Sequence, residues 1–142
     1  MSETENRLAM TACDPARVLI VDDEAQIRKL FTTILSLGLP ETKVDVACNG
    51  LEAVKAFKEG HHAVLLMDLK MPEMDGLQAF MTIRDICTAE NRQMPSVIFC
   101  TGFVPPETVH EVVRAGTLHS ILHKPVKSEQ IISAVRSKLG MK

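Results

Sequence analysis

The sequence predicts an α/β domain built on a parallel sheet, and three observations carry that prediction. From Arg17 onward, short apolar runs alternate with longer stretches of helical period, five times over, as repeated βα units do. Three of the runs are almost continuously apolar, as strands covered by helices on both faces must be. The length, 142 residues, accommodates one such domain with a single core but not two of ordinary size.

The strands are read from the apolar runs in chain order: Val18 to Val21, Val44 to Ala47, Ala63 to Met67, Ser96 to Cys100 and Leu118 to His123. The first, third and fourth have the composition of central strands. After the first, Ile27, Leu30, Phe31, Ile34 and Leu35 fall on one face of a helix over about 24–37, which Gly38 and Pro40 stop. Asn49 is placed to cap a second helix that turns Leu51, Val54 and Phe57 inward and ends at Gly60. Leu77, Phe80, Met81 and Arg84 give the third helix its stripe. The fourth starts at Pro106 and buries Val109, Val112 and Val113 before Gly116. Ser128 is placed to cap the last, which carries Ile131, Ile132, Val135 and Leu139. Residues 1–14 are polar and mildly acidic and read as a flexible tail, leaving residues 15–142 as the folded domain.

Composition narrows the function. With 16 Lys and Arg against 18 Asp and Glu, the net charge is -2, so nothing draws the chain onto nucleic acid or an anionic membrane. No apolar run approaches a membrane span, and the first residues lack the basic start and apolar stretch of a signal peptide. The four cysteines form no C-x-x-C pair, and three sit in apolar runs as small hydrophobes, which fits a reduced cytoplasmic setting. His61-His62 reads as a solvated turn, and His119 and His123 lack a third ligand for a metal.

In an open parallel sheet, ligands bind beyond the carboxyl ends of the strands. The residues there are Asp22-Asp23-Glu24 after the first run, Asp68 after the third, Thr101-Gly102 after the fourth and Lys124-Pro125 after the fifth. If the strands are adjacent, three carboxylates, a hydroxyl and an ammonium converge on one edge. Crowded carboxylates repel unless a cation neutralises them, and an all-oxygen ligand set selects a hard ion such as Mg²⁺. Lys and Thr opposite that ion provide what phosphoryl transfer needs for the remaining phosphoryl oxygens. One carboxylate then serves as nucleophile, and Asp68 on a central strand is best placed. Asp22 and Asp23 have a duller reading as helix caps, which is compatible with metal binding for Asp23.

In order, Asp22-Asp23, Asp68 with Met71-Pro72-Glu73-Met74-Asp75-Gly76 behind it, Thr101-Gly102 and Lys124-Pro125 resemble the receiver domains of bacterial two-component response regulators. The resemblance spans roughly Arg17 to Leu139 and is nearest to the stand-alone, chemotaxis-regulator-like type. It implies a flavodoxin-like, doubly wound (βα)5 fold with strand order 2-1-3-4-5. It makes Asp68 the phosphoacceptor, with a sensor histidine kinase, a histidine phosphotransfer protein or a small phosphodonor as source. Mg²⁺ would be held by Asp22, Asp23, Asp68 and the backbone carbonyl of Lys70. Thr101 would bond one phosphoryl oxygen and Lys124 would pair with another, with a cis bond between Lys124 and Pro125. The chain would catalyse its own phosphorylation and dephosphorylation without acting on external substrates. A downstream protein would dock on the surface from Pro106 to Leu139, made by the fourth helix, fifth strand and fifth helix.

Departures from the family pattern matter too. Ile121 stands where an aromatic usually couples to the hydroxyl residue, so switching is expected to run through Phe99, Phe103 or the loop after Gly102. The resemblance also implies that Lys70 and Phe103 flank the path of the water that hydrolyses the acyl phosphate, and Phe103 is expected to shield it. A phosphatase of the haloacid dehalogenase type would need an acidic residue where Lys70 stands. A nucleotide binder would want a Gly-rich or Ser/Thr-rich loop where Asp22-Asp23-Glu24 stands. A phosphorylation-independent binding module is the remaining alternative.

Overall fold

The computed structural model describes residues 10–141. Strands β1 (Asp14–Val21), β2 (Lys43–Ala47), β3 (His62–Asp68), β4 (Ser96–Thr101) and β5 (Ser120–His123) alternate with α1 (Ala25–Gly38), α2 (Gly50–Gly60), α3 (Gly76–Ala89), α4 (Glu107–Arg114) and α5 (Ser128–Lys138). All strand pairs are parallel and their order is β2-β1-β3-β4-β5, the order expected. The three most apolar runs, β1, β3 and β4, occupy the centre.

Because successive strand residues face opposite sides of a sheet, each central strand feeds two cores. Leu19, Val21, Leu65, Met67, Val97 and Phe99 pack with α2, α3 and α4 on one face. Val18, Ile20, Val64, Leu66, Ile98 and Cys100 pack with α1 and α5 on the other. The site is thereby held on a scaffold covered on both sides.

The N-cap residues of α2 and α3 make side-chain cap bonds, and those of α1, α4 and α5 do not. Asn49 caps α2 by accepting from the Glu52 amide at 2.9 Å, and Asp75 caps α3 in a reciprocal box with Gln78. Ser128 does not cap α5. It is the first helical residue, and the preceding Lys127 amide donates to Gln130 Oε1 at 2.9 Å. At α1 the side chain of Asp22 takes the Glu24 amide at 2.9 Å, while Glu24 makes no side-chain cap bond.

Other expectations need correction. Leu30 and Leu51 are about half exposed rather than inward, because Phe31, Leu35, Ala53 and Phe57 already fill the space over the sheet. The buried face of α3 is Gly76, Ala79, Phe80, Ile83 and Cys87, and Arg84 lies outside it over the Phe80 ring. His62 is not in a solvated turn. His61 takes the left-handed conformation (φ 51°) that ends α2, and His62 opens β3 at 1% exposure with Nε2 2.7 Å from Asp45 Oδ2. β5 is shorter than its apolar run because the His119 ring, rather than a strand carbonyl, accepts the Val97 amide at 3.0 Å. Of the expected tail, residues 1–9 lie outside the described residues. Thr11, Cys13 and Asp14 are bonded to Asn91, Gln93 and His61, and β1 starts at Asp14.

Candidate functional site

The carboxyl edge of the sheet gathers the polar residues that the strand ends promised. Asp22 follows β1 and is buried to 1% exposure, Asp68 ends β3 at 7%, and Asp23 is exposed beside them. One carboxylate oxygen from each lies within 4.8 Å of the others. Lys124 reaches in from beyond β5, with Nζ 2.9 Å from Asp22 Oδ2 and 3.4 Å from Asp68 Oδ2. The bond between Lys124 and Pro125 is cis.

These groups shape one another's charge. Burial raises the Asp68 pKa above the ordinary carboxylate range, with the Asp22 charge adding to it and Lys124 opposing. Burial alone would lower the Lys124 pKa, but hydrogen bonds and charge from Asp22 and Asp68 outweigh it and the pKa is raised. A single ammonium thus serves two buried carboxylates with a third beside them. The excess of negative charge and the purely oxygen donor set suit a hard divalent cation, and Asp22, Asp23 and Asp68 are the side chains that would hold it. Among the described residues, no other acidic, His or Cys cluster of three converges in this way.

Thr101, the last residue of β4, is buried to 1% exposure. Its Oγ1 donates to the Phe103 carbonyl at 3.2 Å and accepts the Phe103 amide at 3.1 Å. Thr101 also lines a cavity of about 340 Å³ with Lys124, and its carbonyl accepts the Lys124 amide at 2.8 Å. The Lys70 amide points at Asp68 Oδ1 at 3.4 Å, and its ammonium lies 4.0 Å from the centroid of the Phe103 ring. Phe103 itself is 58% exposed.

The backbone beneath Asp68 depends on a glycine. A Cβ on Gly76 would sit 2.2 Å from the Asp68 carbonyl oxygen, so α3 can start under the phosphoacceptor candidate only without a side chain there. The amide of Gly76 donates to the Leu69 carbonyl at 2.9 Å and fixes that approach.

All five side chains selected from the strand ends therefore lie at one edge. One participant was not foreseen. Arg28 Nη1 donates to the main-chain carbonyl of Asp22 at 2.8 Å and steadies the acidic turn from α1. Only its place about one turn into the helix that follows Asp22-Asp23 signals this, and a reading of apolar periodicity passes over it.

Comparison with known proteins agrees with this geometry. Residues 18–136 match the model of the response regulator receiver domain. The chain is 33% identical to the chemotaxis protein CheY of Bacillus subtilis over 87% of this chain and 98% of that protein. It is 32% identical to the polar-differentiation response regulator DivK of Brucella anthropi, over 89% of this chain and 98% of DivK. It also shares 34% identity with the regulatory protein AtoC of Escherichia coli over 93% of its length, but spans only 26% of AtoC. A receiver domain structure from Clostridium thermocellum has the same fold, with a TM-score of 0.73 over 88% of this chain and 94% of that one at 24% identity.

Proposed function

The chain belongs to the response regulator receiver family, and from that premise we propose that it is a switch that accepts a phosphoryl group on Asp68. The observation that carries the proposal is the Asp22–Lys124–Asp68 arrangement, in which a buried carboxylate on a central strand faces an ammonium and two further carboxylates.

In the reaction an oxygen of Asp68 attacks phosphorus of a phosphohistidine or an acyl phosphate. The new O–P bond forms as the P–N or P–O bond to the donor breaks, and the leaving group departs with its electron pair. Mg²⁺ held by Asp22, Asp23, Asp68 and the Lys70 carbonyl would neutralise charge that builds on the phosphoryl oxygens. Lys124, already between Asp22 and Asp68, pairs with a phosphoryl oxygen and holds the acceptor carboxylate in line. Thr101 donates its hydroxyl proton to another.

That last bond has a structural consequence. The Thr101 hydroxyl has one proton, which it now gives to the Phe103 carbonyl. Turning it to a phosphoryl oxygen gives up the bond to the Phe103 carbonyl and loosens the loop that leads to α4. Ile121 is packed against the core beside Phe99, and Phe99 is fully buried against Phe80 with ring centroids 5.6 Å apart. Phe103 is exposed and can move without opening the core. We therefore assign the switch to Phe103 and the loop after Gly102 in preference to Phe99. The altered surface, from Pro106 to Leu139, is where a downstream protein would read the switch, with a histidine kinase or phosphotransfer protein as donor. Among the described residues no helix is long and apolar enough to cross a membrane.

Intact-mass analysis after incubation with Mg²⁺ and acetyl phosphate, beside Asp68→Asn, tests the assignment. One phosphoryl group on the wild type and none on the variant is the expected result. If neither the adduct nor beryllofluoride binding is seen, the phosphorylation-independent binding module becomes the better account.

A further inference from the structure

The opposite edge of the sheet carries two thiols that phosphoryl chemistry does not use. Just before β1 the chain runs parallel to the loop after α3: the Thr11 amide donates to the Asn91 carbonyl at 2.9 Å and the Gln93 amide to the Thr11 carbonyl at 2.7 Å. The Cys13 amide then donates to Gln93 Oε1 at 2.8 Å. This bridge sets Cys13 beside Cys87, in the last turns of α3. Both thiols donate to the same atom, the Gln93 main-chain oxygen, Cys13 Sγ at 3.3 Å and Cys87 Sγ at 3.6 Å. Two thiols from separate elements that share one acceptor oxygen are neighbours, and a disulfide between them requires that side-chain rotation bring the sulfurs to bonding distance.

We propose that Cys13 and Cys87 are a redox pair that closes to an intramolecular disulfide by exchange with a low-molecular-weight disulfide. Cys13 is half-buried and lines a cavity of about 250 Å³ with Gln93 and Met94, whereas Cys87 is 5% exposed. Cys13 is therefore the sulfur that meets the oxidant. Its thiolate attacks one sulfur of the small disulfide, forming a mixed disulfide and expelling one thiolate. The Cys87 thiolate then attacks the Cys13 sulfur and expels the second. Two protein thiols are oxidised, one small disulfide is reduced to two thiols, and the two protein protons go to the leaving thiolates.

Burial pushes the Cys13 pKa up to about 11, with the neighbouring Cys87 adding to it, and burial raises Cys87 while Arg92 opposes. Both groups stay protonated near neutrality, so closure is slow there and accelerates with rising pH. Cys100 is sealed in β4 and Cys48 lies in the loop after β2, so neither competes for this partner. The bridge would tie the segment before β1 to the far end of the helix that begins under Asp68.

The native protein is incubated with oxidised glutathione at pH 7 and pH 8.5, quenched with acid, and mapped without reduction. The expected result is loss of two hydrogens and one linked peptide pair joining residues 13 and 87, formed faster at pH 8.5 and absent from Cys13→Ser and Cys87→Ser. The closed loop covers roughly half the chain, so the unfolding midpoint should rise by roughly 5–15 °C. A glutathione adduct on Cys13 that never resolves, a bridge to Cys48 or Cys100, a bridge between two molecules, or no reaction at pH 8.5 would each overturn the proposal. Acetyl phosphate labelling of the same variants keeps this outcome separate from that of the phosphorylation reading.

Discussion

The two halves of the sheet edge are built to different tolerances. Asp22 follows β1 and Asp68 ends β3, strands whose apolar residues are almost all sealed between helices on both faces, and α2 and α3 bury Ala53, Phe57, Ala79, Phe80, Ile83 and Cys87 against them. Thr101 and Lys124 lead into a looser half. There α4 buries only Val109, no residue of β5 is fully buried, and Phe103 and Val104 of the intervening loop are 58% and 91% exposed. Segments with few buried apolar contacts open at low cost. On the proposed function, the groups that bind and attack are thus on sealed strands, while those that respond are next to a sparsely buried segment.

The comparison makes graded predictions. Phe57→Ala, in the rigid half, should cost about 3–5 kcal/mol, whereas half-buried Val112→Ala in α4 should cost about 1 kcal/mol. Equal losses in chemical denaturation would erase the distinction. Gly76→Ala should destabilise by about 1–3 kcal/mol, because the helix propensity that Ala adds does not offset a Cβ driven into the Asp68 carbonyl. It should also slow acetyl phosphate labelling, and a variant as stable and as active as wild type would show that this side yields easily.

His119 gives the looser half a dependence on pH. Burial lowers its pKa to about 4, helped by the Lys138 charge, and its ring rests edge-on against Phe80 at 4.9 Å. The neutral ring is the folded form, so between about pH 6.5 and pH 4 the unfolded chain binds the extra proton. Stability from this group is complete above about 6.5 and falls as pH drops toward 4, by on the order of 2 kcal/mol. Denaturant titrations at pH 7 and 4.5 should show the loss in wild type and a smaller one in His119→Asn, whose amide oxygen can still accept the Val97 amide. The smallest effect on stability is expected for Phe103→Ala, within about 0.5 kcal/mol. Its phosphoryl group should nevertheless hydrolyse faster, as followed by loss of the adduct in time-resolved intact mass. An unchanged rate would remove Phe103 as a shield.

Much of this was legible in the chain because it depends on short-range rules. Alternation and helical period located all ten elements, and the carboxyl-edge rule picked out Asp22, Asp23, Asp68, Thr101 and Lys124 before any distance was known. Errors arose where a neighbour decided the outcome. Leu30 and Leu51 fit an apolar stripe but lie at its margin, where larger or better-placed residues had taken the sheet. His62 looked polar and solvated, yet Asp45 of β2 gives its Nε2 a partner inside. His119 cut β5 short by offering a ring nitrogen to the Val97 amide, which no strand propensity registers. The bond from Arg28 to the Asp22 carbonyl and the shared bond of Cys13 and Cys87 to the Gln93 carbonyl join elements through three dimensions and leave no periodic trace.

The sequence by itself determined that the sheet is parallel, which strands are central and which residue types stand at its carboxyl edge, because apolar periodicity, burial on two faces and strand ends are read locally, while the strand order was an expectation from the family resemblance. Only the tertiary structure decided which carboxylates share Lys124, that Thr101 is held by Phe103, and which cysteines share the Gln93 carbonyl. Those outcomes turn on distances of a few tenths of an ångström between segments far apart in the chain, and the energies of ion pairs and hydrogen bonds depend steeply on them.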